Sequence, residues 1–83
     1  MNNNTDKNKD FPQFRKKFDS SSVYKIFNNQ NMEEVQFIGA KKFKFMINAA
    51  KYFELLKIQE ILECQNDRYL IISRLEYDNL VNS

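Results

Sequence analysis

The sequence has no histidine or tryptophan, and it contains one cysteine, one glycine and one proline. Without an imidazole base, a serine cannot be activated as in a Ser-His-Asp hydrolase. Cys64 has no second thiol for an internal disulfide, and zinc sites built from cysteine and histidine are excluded. A single glycine cannot build a glycine-rich phosphate loop. These absences argue against an enzyme and against a cofactor.

Long apolar runs are also missing. No segment approaches the roughly 20 apolar residues that a membrane span requires, and no apolar segment follows the first residues as in a secretory signal. A chain that can form no internal disulfide also suits a reducing compartment. The sequence therefore predicts a soluble cytoplasmic protein without a membrane partner, located at the nucleoid or in the nucleus if it binds DNA.

Apolar residues are distributed so that one domain is expected. Residues 1–9 are almost entirely polar and predict a disordered arm, because nothing there offsets the entropy of ordering it. Residues 10–83 predict a single small domain, in which eight phenylalanines and four tyrosines supply much of the packing. The scarcity of glycine and proline favours helices over a turn-rich sandwich.

Positive charge is concentrated between Lys41 and Lys57. This stretch holds five lysines and one glutamate, a net charge of +4, against +2 for the whole chain. At 3.6 residues per turn it forms an apolar and a basic face and predicts an amphipathic helix. The apolar face consists of Phe43, Met46, Ile47, Ala50 and Phe53, with Ala49 and Leu56 beside them. The basic face consists of Lys41, Lys44, Asn48, Lys51 and Tyr52.

The remaining pattern predicts three short helices before the basic helix and one after it. The first three cover Phe11–Phe18, Val23–Phe27 and Met32–Ile38, and Gly39 forms the corner before the basic helix. Residues 58–73 predict a β-hairpin, and the capping-box spacing of Ser73 and Glu76 predicts a closing helix. The expected fold class is therefore mainly α with a small β-hairpin.

This order of elements resembles a winged helix-turn-helix domain over residues 21–81, and the tail NDRYLIISRLEYDNLV is similar to the end of excisionase and MerR-like families. The resemblance implies a phage, plasmid or transposon regulator, or a recombination accessory factor, that binds double-stranded DNA. The basic helix would enter the major groove and the hairpin would act as the wing. The implied DNA contacts are Lys41, Lys44, Asn48, Lys51, Tyr52, Asn66 and Arg68. A homodimer or a cooperative array is expected, because so short a chain covers few base pairs.

A protein-interaction module is the alternative class. If one helix runs from Met32 to Glu63, a second apolar stripe of Val35, Ile38, Phe45, Ala49, Tyr52 and Leu56 is available to pair two chains. The stretch INAAKYFELLKIQEIL also resembles a helix of BTB domains, which are protein-interaction modules. A small viral or phage inhibitor of a host protein fits the size, and such a partner explains Phe45 and Leu55 on the outer face. The carboxylate pairs Glu33 with Glu34 and Glu60 with Glu63 have no partner that completes a catalytic constellation.

Overall fold

A computed structural model describes residues 10–83, which form a five-stranded sheet and two α-helices. The predicted arm at residues 1–9 lies outside the described residues. A one-turn 3-10 helix at Gln65–Asp67 precedes the last strand. The strands and helices are β1 Gln13–Lys17, β2 Ser22–Ile26, β3 Asn31–Ile38, β4 Lys41–Asn48, α1 Tyr52–Leu62, β5 Tyr69–Ile71 and α2 Arg74–Val81.

The sheet is antiparallel, with strand order β4-β3-β2-β1-β5. The first four strands follow one another as a meander, and α1 carries the chain back to place β5 beside β1. Gly39 has φ +60° in the tight turn between β3 and β4, a conformation that glycine adopts at low cost. The first strand, β1, therefore lies next to one edge of the sheet, and β4 and β5 form its two edges.

Each face of the sheet is packed against one helix. On the α1 face, Ile58, Ile61 and Leu62 pack with Tyr24, Ile26, Met32 and Ala49. On the α2 face, Tyr77 packs with Phe14, Val23, Val35 and Ile72. Neighbouring strand residues such as Val23 and Tyr24 belong to different clusters, because successive side chains point to opposite faces. The domain thus has two small cores separated by one sheet.

The prediction of a mainly α fold is wrong, and so is the prediction of a helix from Lys41 to Lys57. Residues 41–48 form β4, and the helix begins at Tyr52. Phe43, Phe45 and Ile47 alternate with Lys42, Lys44 and Met46, and this alternation is the period of a strand. The segment also fits a helix, because Met46 and Ile47 fall at i+3 and i+4 from Phe43. Since phenylalanine and isoleucine favour strands and Gly39 permits a tight turn, β4 pairs with β3 along its whole length.

The helices expected before Gly39 are also wrong, because those segments form β1, β2 and β3. The hairpin expected at residues 58–73 is replaced by the end of α1 and by β5, which pairs with β1. A continuous helix from Met32 to Glu63 is excluded by the β3–β4 hairpin. The closing helix is confirmed as α2, and the backbone N–H of Glu76 donates to Ser73 Oγ over 3.0 Å.

A buried arginine links β1 to the end of α1. Arg15 is 6% exposed, and its Nε and Nη2 donate to the carbonyl oxygen of Leu62 over 3.3 and 2.9 Å. Its Nη1 donates to the carbonyl of Phe14 and its Nη2 to Gln13 Oε1. The last carbonyls of a helix lack partners within the helix, and a cation there interacts favourably with the helix dipole. Arg15 therefore fixes the end of α1 against the sheet.

Candidate functional site: the β4 edge

Strand β4 is a long, open edge of the sheet. Within residues 10–83 it is hydrogen-bonded to β3 alone, and seven of its eight residues are exposed. The opposite edge, β5, is only three residues long. Proteins commonly shorten or interrupt edge strands because unpaired N–H and C=O groups invite pairing with another chain. β5 shows this protection, whereas β4 is long and has no proline, and its lysines, which also protect an edge, all lie in its first half.

The hydrogen-bonding pattern identifies the backbone groups that point away from the sheet. The N–H of Ala49 donates to the carbonyl of Gln30 over 2.7 Å, and these residues lie opposite each other in the β3–β4 register. In an antiparallel ladder, alternate residues bond to the same neighbour. Odd-numbered residues of β4 therefore bond to β3. The N–H and C=O groups that point to the open edge belong to Lys42, Lys44, Met46 and Asn48.

The side chains of β4 give its two faces different chemistry. Phe43 and Phe45 lie on the α1 face at 41% and 45% exposure, next to Ile47, which contacts the α1-face core. Lys42, Lys44 and Met46 lie on the α2 face, where Met46 is 57% exposed. Two neighbouring aromatic rings on an open strand form an apolar row that β4 leaves without cover. We call the outward backbone groups together with Phe43, Phe45 and Met46 the β4 edge.

Charge on β4 is asymmetric along the strand. Lys41, Lys42 and Lys44 give its first half a charge of +3, and the second half, from Phe45 to Asn48, carries none. Lys42 Nζ donates to the carbonyl of Val81 over 3.0 Å and to that of Ser83, so it ties β4 to the end of α2. Lys44 Nζ lies 4.0 Å from Glu33 Oε2, a long ion pair whose lysine is exposed and which stabilises little.

The residues predicted to contact DNA do not form one surface. Lys41 lies on the α1 face of β4, whereas Lys44 and Asn48 lie on its α2 face. Lys51 is the N-cap of α1, and Tyr52 is its exposed first residue.

The two residues assigned to the wing lie at the far side of the sheet. Asn66 belongs to the 3-10 helix, with φ 58°, and Arg68 precedes β5. Four strand spacings, roughly 19 Å, separate β5 from β4. Asn66 and Arg68 therefore do not lie on one groove-facing helix with the lysines of β4.

The start of α1 is stabilised by a carboxylate. Glu54 Oε1 accepts the backbone N–H groups of Ala50 and Lys51, both over 3.0 Å. These hydrogen bonds hold the pKa of Glu54 below its usual value. A negative charge in the first turn also interacts favourably with the helix dipole. The segment from β4 to α1 is therefore fixed by Glu54, and the position of β4 relative to α1 does not depend on a flexible linker.

The main feature of this site is the row of unpaired backbone groups on β4, and the sequence did not reveal it because no residue type marks such groups. Edge position follows from strand order, and strand order depends on long-range pairing that a local pattern does not encode. The one signal available was the alternation of Phe43, Phe45 and Ile47 with Lys42, Lys44, Met46 and Asn48, all of which except Met46 are polar. That alternation predicts a strand with an aromatic face, and it identifies the same two phenylalanines that the structure leaves exposed.

A concave region lies on the α1 face beside Lys57. Its volume is about 320 Å³, and Glu34, which is buried, lines it with Tyr24 and Ser22. Burial raises the pKa of the Tyr24 phenol, and the nearby Glu34 carboxylate raises it further, so the phenol stays protonated at neutral pH and is no base.

Further properties come from residues 10–83 as a whole. Among them, no cluster of three or more histidine, cysteine, aspartate or glutamate side chains is placed to hold a metal ion. Neither of their α-helices has the length and apolar character needed to cross a membrane. Comparison with protein-family models, with curated proteins and with solved structures finds no match. The fold and the open β4 edge therefore carry the functional argument.

Proposed function

We propose that this protein is a protein-interaction module that binds by accepting an additional strand at the β4 edge. The observation that carries the proposal is the outward row of backbone groups on β4, flanked by the exposed rings of Phe43 and Phe45. Strand addition derives its affinity from main-chain hydrogen bonds and its specificity from alternate side chains. Both components are available on β4 without rearrangement of the sheet.

The site selects a partner with a defined pattern. An added strand would place every second side chain on the α1 face, next to Phe43 and Phe45, and the others on the α2 face, next to Lys42 and Lys44. Apolar residues at the first set of positions bury the two rings, and acidic or polar residues at the second set complement the lysines. The expected partner is therefore an extended segment in which apolar residues alternate with polar or acidic residues.

The interacting surface differs from the one that the sequence suggested. A protein partner was expected at an apolar helix face that included Phe45 and Leu55. Leu55 is half-buried against the α1-face core, whereas Phe45 is exposed on a strand. The proposed class of protein is still a module or inhibitor that binds another protein, but its binding surface is the β4 edge.

Replacement of Met46 by proline tests strand addition directly. The N–H of Met46 points to the open edge, and proline is tolerated at such a position in an edge strand. We expect Met46→Pro to lower the affinity for peptides selected from a random library against the wild-type protein by about tenfold or more, which corresponds to about 1.4 kcal/mol. Binding is measured by titration calorimetry with the purified chain.

Met46→Ala is the matched control, because it removes the same side chain but keeps the N–H. Selected peptides should bind Met46→Ala nearly as well as wild type, and they should protect the amides of Lys42, Lys44, Met46 and Asn48 from hydrogen exchange. Peptides that bind Met46→Pro and Met46→Ala equally, or that protect amides elsewhere, would refute strand addition at this edge.

Binding of double-stranded DNA is a second candidate, and one observation favours it. Lys42, Lys44 and Asn48 share the α2 face of β4, and a two-stranded β-ribbon fits the major groove. Nucleic-acid binding of this kind weakens steeply with salt, and Lys44→Ala should lower the salt slope by about one. A gel-shift titration of wild type and Met46→Pro with random duplex at two salt concentrations separates the candidates. A salt-steep affinity that the proline leaves unchanged favours DNA.

We also propose that the protein is located in the cytoplasm. Cys64 is a free, half-buried thiol, and the chain can form no internal disulfide. A domain stabilised without a disulfide is compatible with a reducing environment.

A further inference from the structure

We infer that the strand added to β4 is β4 of a second copy of this chain, so that two sheets join into one continuous antiparallel sheet across a two-fold axis. The inference rests on the proposed function, because it names the occupant of the same β4 edge. The carrying observation is that, when β4 lies beside its own copy in the opposite direction, apolar side chains can face apolar side chains while no lysine faces a lysine.

The open backbone groups restrict the registers that two copies can adopt. In an antiparallel pair, directly opposite residues point to the same face of the sheet. A two-fold axis perpendicular to the sheet must therefore place one residue directly opposite its own copy, and we call this an axis through that residue. An axis through Phe45 places Lys44 opposite Met46 and Lys42 opposite Asn48 of the second copy. These four residues carry the outward N–H and C=O groups, so each such pair exchanges two hydrogen bonds.

Charge favours this register over its neighbour. An axis through Lys44 places that lysine opposite its own copy, and like charges directly opposite are destabilising. An in-register parallel pairing also places each lysine beside its copy. With the axis through Phe45, the cationic half of one β4 faces the uncharged half of the other, and no lysine faces a lysine. The lysines therefore oppose the alignment centred on Lys44 and the parallel alignment, and they do not oppose the dimer centred on Phe45.

Apolar side chains support the same alignment. With the axis through Phe45, its ring meets the equivalent ring of the second copy, and Phe43 lies opposite Ile47 on the same face. Opposite residues of a pair that does not exchange hydrogen bonds lie closest, with about 4.5 Å between their Cα atoms. The two exposed phenylalanines of each chain thus form one continuous apolar row with Ile47 on the α1 face. Aromatic cross-strand pairs are among the more stabilising pairs in sheets.

The oligomeric state and the register are measured together. Sedimentation of the wild-type chain between about 10 µM and about 1 mM, a range suited to small interfaces, is expected to show a monomer–dimer equilibrium. Met46→Pro should remain monomeric, and Met46→Ala should dimerise. In a Cys64→Ser background, Phe45→Cys should form a disulfide-linked dimer on mild oxidation, because the two Cα atoms lie within disulfide range.

Two further variants test the register. Lys44→Cys and Met46→Cys should not form disulfides with their own copies, since each residue lies diagonally across from its copy, with Cα atoms about 7–8 Å apart. A mixture of the two variants should form a disulfide between them, because Lys44 lies directly opposite Met46. Self-linking of Lys44→Cys as efficient as that of Phe45→Cys would overturn the register. A wild-type chain that stays monomeric throughout would overturn the dimer. If selected peptides still bind β4 in that case, the proposed function stands alone, and if they do not, both proposals fail.

Discussion

Replacing Arg15 with alanine is expected to lower the free energy of unfolding by about 3 kcal/mol. The guanidinium group donates twice to the carbonyl of Leu62 and once to that of Phe14. Its loss leaves buried acceptors without donors and opens a cavity between β1 and the end of α1. Because a domain of this size has only modest total stability, such a loss should be visible as a large shift in the urea midpoint.

The neighbouring lysine provides the control. Lys16 lies on the other face of β1, and its Nζ is 3.1 Å from Glu76 Oε2 in a partly exposed ion pair. Lys16→Ala should cost less than about 1 kcal/mol, since exposed ion pairs contribute little. Arg15→Met keeps most of the apolar stem and should recover part of the loss through packing. Equal losses for Arg15→Ala and Lys16→Ala would show that Arg15 does not fix the end of α1.

Replacing Tyr77 with alanine is expected to lower the free energy of unfolding by about 4 kcal/mol. Tyr77 is buried in the α2-face core, where its ring centroid lies 5.1 Å from that of Phe14. Its hydroxyl donates to Glu33 Oε2 over 2.7 Å, which joins α2 to β3. Tyr77→Phe removes only this hydrogen bond and should cost about 1 kcal/mol. Chemical denaturation followed by circular dichroism measures both, and similar costs for the two variants would contradict the packing role.

The same tyrosine predicts a loss of stability at high pH. Burial raises the pKa of the Tyr77 phenol, and its hydrogen bond to the Glu33 carboxylate raises it further. A phenol whose pKa is higher in the folded state than in the unfolded state contributes stability that is fully present below pH 10. That stability is lost as the pH rises above 10, because only the unfolded chain then releases the proton. The stability difference between wild type and Tyr77→Phe should therefore shrink above pH 10.

Local signals in the sequence were sufficient for the last element of the fold. The spacing of Ser73 and Glu76 predicts the N-terminus of α2, and the structure shows the corresponding hydrogen bond. An N-cap is encoded by residues within one turn, so a local pattern contains all the information it requires. Gly39 was likewise expected to turn the chain, and it does so with a positive φ, although the turn joins two strands.

The remaining elements required information that a local pattern lacks. Phe43, Met46 and Ile47 satisfy a helical spacing, while Phe43, Phe45 and Ile47 satisfy a strand spacing, so the segment is ambiguous by periodicity alone. Pairing with β3 decides the outcome, because it runs along the whole of β4 and satisfies the backbone groups of its odd-numbered residues. The positions of Asn66 and Arg68 across the sheet from Lys44 follow from strand order, which no spacing within the sequence reveals. The sequence shows that the lysines are concentrated in this segment, but it does not show that Lys41 lies on one face of the sheet and Lys44 on the other.

The central claim is that β4 is an edge strand whose alternate backbone groups are open to a partner. Amide hydrogen exchange, measured by NMR residue by residue on dilute protein, tests it most directly. The account predicts slow exchange for Phe43, Phe45, Ile47 and Ala49, which donate toward β3. It predicts fast exchange for Lys42, Lys44, Met46 and Asn48, and their protection as the protein concentration rises. Uniform protection along the strand at every concentration, or protection of the even-numbered amides alone in dilute protein, would contradict it.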